Sequence, residues 1–95
     1  MLIVLVAAKH KLDYHRGRII SGLIDHLHNW TENSISTAID KWIFIEPENG
    51  WYNKLRGYRI DRIYICRNSV EFTKEAKCVI IPALRRHNEE SVVIF

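Results

Sequence analysis

Met1-Leu2-Ile3-Val4-Leu5-Val6-Ala7-Ala8 is the stretch on which the fold turns. Residues 2–8 are apolar without interruption, and polar and apolar positions do not alternate. A strand with one wet face would alternate. A continuous run fits a strand covered on both faces, as at the centre of a parallel sheet. The run is far shorter than the ~20 residues a membrane span needs, and no positive segment precedes it. Neither a leader nor a transmembrane helix is expected, so the reading is a cytoplasmic protein without a membrane partner.

Working outward, Ile19, Ile20, Leu23, Ile24, Leu27 and Trp30 recur at the spacing of one helix face. They predict a helix over 15–30, with Asp13 as its N-cap and Arg18, Asp25 and His28 on the wet side. Polar Thr31-Glu32-Asn33-Ser34 ends it. Ile35, Ala38, Ile39 and Trp42 keep helical spacing for two more turns, which allows a short second helix. Trp42-Ile43-Phe44-Ile45-Glu46 reads as a strand stopped by Pro47, and Glu48-Asn49-Gly50 is turn chemistry. Residues 51–57 are irregular or a single helical turn. Ile60 to Cys66 is a third strand, closed by Arg67-Asn68-Ser69.

The last third supports two readings. Phe72, Ala76, Val79, Ile80, Ala83 and Leu84 keep helical spacing, with acids toward the start and Arg85, Arg86 and His87 toward the end, as the helix dipole favours. Pro82 would cost about 3 kcal/mol in a helix interior. The rival reading therefore makes 78–81 a strand and starts a helix at Pro82. One bent helix over 72–87 is preferred, and Ser91-Val92-Val93-Ile94-Phe95 is a final strand. Strands alternating with helices predict an α/β fold as one domain over 1–95. The expected form is a small Rossmann-like domain with a mostly parallel three- to four-stranded sheet and two main helices.

Composition bounds the rest. A hydrophobic share of 47% excludes a disordered chain, and 95 residues suffice for one domain. So short a chain buries only about 60–65% of its unfolded surface, so a homodimer that adds burial is an alternative. The net charge of +3, from 14 Lys+Arg against 11 Asp+Glu, suits anionic partners but is too small for a nucleic-acid arm. Cys66 and Cys78 are too few for a zinc knuckle or a disulfide framework. Both lie in apolar stretches, so both are expected as buried free thiols.

No catalytic signature is present. Neither G-x-G-x-x-G nor G-x-x-x-x-G-K-[ST] occurs. His26 and His28, two apart on a helix, would point away from each other and could not share a metal. No catalytic residue, metal or cofactor is expected. In open α/β sheets ligands collect outside the carboxyl ends of strands. That rule selects Lys9, His10, Lys11, His15, Arg16, Arg18, Glu46, Arg67 and Asn68 as an anion site. The four Lys and Arg of this group near a helix start oppose its dipole, and a bound phosphate or nucleotide would relieve the conflict.

A second cluster interleaves aromatics with bases: Trp51, Tyr52, Lys54, Arg56, Tyr58 and Arg59. Trp, Tyr and Arg dominate protein-binding hot spots, and the same mixture can stack on bases and hold phosphates. Leu55 to Ile65 is similar to the approach to a Walker B strand in viral P-loop ATPases. Cys66-Arg67 stand where those proteins carry an acidic pair, and no P-loop precedes them, so no ATPase activity carries over. With Trp42 to Pro47, the segment Leu55-Arg56-Gly57-Tyr58-Arg59-Ile60-Asp61 resembles small phage-encoded Rossmann-like proteins of unknown function. The resemblance covers the middle third of the chain. It implies a virus or mobile element as source, and no activity. The function expected is a non-enzymatic binding module that engages a host or viral macromolecule, with protein as the first choice of partner. A nucleotide or phosphate ligand is the alternative, and nucleic acid the second alternative.

Overall fold

The structure is a computed structural model that describes residues 1–23, 27–87 and 89–95. Leu2–Val6 forms β1, and its two faces enter different cores. Val4 and Val6 pack on one side of the sheet, Leu5 on the other. Burial on both faces is why this strand shows no alternation. It lies in the middle of the sheet, parallel to β4 (Lys41–Ile45) and to β5 (Arg62–Ile65). The interior strand read from residues 2–8 stands.

The sheet is larger and more mixed than expected. It has six strands in the order β2-β3-β4-β1-β5-β6, where β2 is Leu27–Trp30, β3 is Ser34–Thr37 and β6 is Val92–Ile94. At one edge β3 runs antiparallel to both of its neighbours, β2 and β4, while β5 and β6 are parallel. This overturns the Rossmann-like, mostly parallel sheet of three to four strands. The physical reason is the Thr31–Ser34 segment, expected to end a helix. It is a hairpin turn, in which the Thr31 N–H donates to the Ser34 carbonyl at 2.8 Å. A turn that short can join only antiparallel neighbours.

Two helices cover the two faces. α1 spans Lys9–Leu23, not 15–30, and sets Leu12, Ile19 and Ile20 against Leu5, Ala7, Ile35 and Phe44. Asp13 therefore lies inside the helix, where it accepts from Arg16 at 2.6 Å instead of capping. The positions expected to extend the helix do not do so. Ile24, Asp25 and His26 lie outside the described residues, and Leu27–Trp30 is strand. The short helix expected over 35–42 is also absent, because Ser34–Thr37 pairs with β4 and the Thr37 hydroxyl accepts the Asp40 N–H at 3.0 Å to close a turn.

α2 spans Lys74–Ala83, a single helix as preferred, but it stops before Arg85, Arg86 and His87. Thr73 caps it by accepting the Ala76 N–H at 3.3 Å. Pro82 sits in the last turn, where little helix remains for it to disrupt. Beyond it the chain extends: Ile60 N–H donates to Ala83 O and Arg85 N–H to Ile60 O, both at 2.8 Å. Ala76, Ile80 and Ala83 of α2 pack with Trp51 and Leu55 of a 3-10 turn (Trp51–Leu55) over Val4, Val6, Ile63 and Ile65. Cys66 is buried as expected, whereas Cys78 lies on the wet side of α2.

Candidate functional site

The aromatic and basic cluster divides in two. Trp51 is 4% exposed and Leu55 1%, so the 3-10 turn drives its i and i+4 side chains into the core. Trp51 is therefore an anchor and not a contact surface, and half-buried Tyr52 packs edge-on to it at 5.7 Å. Lys54, Arg56, Tyr58 and Arg59 point outward instead. Gly57, at φ 85°, takes the left-handed turn that reverses the chain between the two arginines.

This turn stands opposite α2 and leaves a groove of about 380 Å³ between them. Arg56, Gly57, Tyr58 and Arg59 form one wall, and Cys78, Val79, Pro82 and Ala83 the other. The lining residues include two arginines and one tyrosine and no acidic residue. Arg56 Nε donates to Asn53 Oδ1 at 3.1 Å, which steadies one guanidinium. Tyr58 stays 42% exposed between two hollows. Lys54 turns the other way, toward Glu48 at 3.9 Å.

The residues proposed for an anion site are only partly brought together. Lys9, His10 and Lys11 begin α1 at the carboxyl end of β1, and Arg67 and Asn68 follow β5 beside it. His15 sets its ring edge-on to Phe95 at 5.5 Å, beyond the end of β6. Arg16 and Arg18 do not belong to the helix start. With α1 opening at Lys9, they lie roughly 10–14 Å further along the axis. Arg16 is also engaged, donating to Asp13 and to the Glu32 carbonyl at 2.8 Å. Glu46 lines a different cleft, with Glu48, Lys54 and Tyr58.

Sequence reasoning missed one pairing at this edge. Lys11 Nζ donates to Cys66 Sγ at 3.4 Å, joining α1 to the end of β5. Burial pushes the Cys66 thiol up, but the Ser69 hydroxyl, Lys11 and the Asn68 N–H outweigh it and leave the thiol below its ordinary range. Nothing in local spacing links residues 11 and 66. The second wall of the groove was missed for the same reason, although the i, i+4 spacing of Trp51 and Leu55 could have marked which aromatic turns inward.

No family model, curated protein or solved structure matches this chain. Among the described residues no group of three or more His, Cys, Asp or Glu is placed to hold a metal, and no helix is long and apolar enough to cross a membrane.

Proposed function

We propose that this chain is a small non-enzymatic binding module, of viral or mobile-element origin and acting in the cytoplasm. It takes an acidic segment of a partner protein into the groove between Arg56–Arg59 and α2. One observation carries the reading: two arginines and an exposed tyrosine line the same groove, and no acidic residue does. Guanidinium forks match carboxylate geometry bidentately, and Tyr and Arg are among the residues enriched at energetic centres of protein interfaces. The turn that forms the Arg56–Arg59 wall follows directly on buried Trp51 and Leu55, which anchor its start and limit the backbone ordering lost on binding.

Cys78 lies in the groove wall and reports its occupancy. A glutamate-rich peptide is the probe, and alkylation of Cys78 by iodoacetamide, read by mass spectrometry, is the signal. The peptide should slow alkylation several-fold, and the Arg56→Glu/Arg59→Glu variant should lose that protection while melting like the parent. Equal alkylation rates with and without peptide at low salt would overturn the reading.

A further inference from the structure

α1 carries Lys9, Lys11, Arg16 and Arg18 against Asp13 alone, a net charge of +3. The whole chain carries +3, so the other eighty residues balance ten cations against ten carboxylates. All of the excess positive charge thus resides on one fifteen-residue helix. It also opposes that helix's own dipole, since the first turn contains no acid and the last turn no base.

The outer face of α1 has a second property. Tyr14, Gly17, Arg18 and Ser21 are all exposed at i, i+3, i+4 and i+7, which places them in one stripe. Tyr14 is 59% exposed. Arg18 stands 5.8 Å above its ring and donates to its hydroxyl at 3.2 Å, so ring and cation are presented together. Within the stripe Gly17 leaves open space, because a Cβ there would meet nothing within 4 Å. At the helix start the charge continues through exposed Lys9. His15 touches Phe95, whose carbonyl accepts the N–H of exposed Arg67 at 2.7 Å.

We infer that this face of α1 is a binding surface for a single-stranded polynucleotide. Exposed Lys9 and Arg18 supply the phosphate contacts, Lys11 and Arg16 being engaged within the fold, and Tyr14 with Arg18 supplies a platform on which an unpaired base stacks. Gly17 lets the sugar-phosphate chain lie close to the helix. A single strand uses ring and cation together, an unpaired base on the one and its phosphate on the other, which is why it is preferred to the acidic protein that the polyglutamate competitor represents. The surface is separate from the groove, because α1 and α2 cover opposite faces of the sheet.

Fluorescence anisotropy with labelled oligothymidylate and oligouridylate tests it. Both should bind at low salt, with affinity falling steeply as salt rises. Lys9→Glu/Arg18→Glu should lose at least tenfold, and Tyr14→Ala about tenfold, the scale of one stacked base. Tyr14→Leu serves as a second variant, and melting curves confirm that each is folded. Arg56→Glu/Arg59→Glu, on the other face, should bind as the parent does. No anisotropy change with either oligonucleotide overturns the inference. So does a polyglutamate competitor as effective as the oligonucleotide, or full binding after loss of the Tyr14 ring.

Discussion

Asp61 and Leu2 are joined twice: Leu2 N–H donates to Asp61 Oδ2 at 2.7 Å, and Asp61 N–H donates to the Leu2 carbonyl at 2.9 Å. The same carboxylate accepts Arg85 Nε at 3.0 Å. The start of β1, the approach to β5 and the segment after α2 are thereby fastened at one residue. The Leu2 N–H is the main cause that holds the Asp61 carboxyl below the usual carboxylate range. Burial opposes it, and Arg85 and the N-terminal ammonium add to it.

Asp61→Asn should destabilise the fold by about 1 kcal/mol at neutral pH. A carboxyl held low in the folded state contributes stability above the ordinary carboxyl value near 4 and loses it as pH falls through its own lower value. Urea unfolding of parent and variant should therefore converge on acidification. A gap unchanged at about pH 3 would show that the charge is not its source.

The two aromatics of the basic segment should behave oppositely. Trp51→Ala should cost about 3–5 kcal/mol, as expected for a buried tryptophan. Tyr58→Ala, at an exposed site, should stay within about 0.5 kcal/mol. Thermal melts of the two variants separate anchor from surface.

Lys11→Met should raise the Cys66 thiol pKa, since an ammonium at 3.4 Å is withdrawn while burial remains. Thiolate ultraviolet absorbance followed against pH reads this in a Cys78→Ser background, which leaves Cys66 as the one thiol. An unchanged titration would mean that Ser69 and the Asn68 N–H hold the thiolate without help.

Gly17→Ala should stabilise the domain by about 0.5–1 kcal/mol. The position is helical and exposed, with room for a methyl group. If α1 holds a polynucleotide close to its backbone, the same change weakens that binding, so stability and affinity move in opposite directions.

β1 was legible because burial on both sides abolishes alternation, a signal that needs no tertiary knowledge. The β2–β3 hairpin was not. Ile35 and Trp42 are seven apart, which mimics two helical turns, yet they are register partners across β3 and β4 and so share one face of the sheet. Cross-strand pairing around a short turn can reproduce helical spacing, and here it did. Likewise Arg56-Gly57-Tyr58-Arg59 announced itself by composition, whereas Cys78 and Pro82 meet it only because α2 folds back over the sheet.

Leu2–Val6 is made before both of the strands it will separate, since Lys41–Ile45 and Arg62–Ile65 come much later in the chain. At ordinary translation speeds, five of the greasiest residues wait roughly 3–12 seconds for their second neighbour. The centre of the sheet is thus incomplete until β5 has been made. A cell making this protein gains from a holdase near the exit tunnel during that interval.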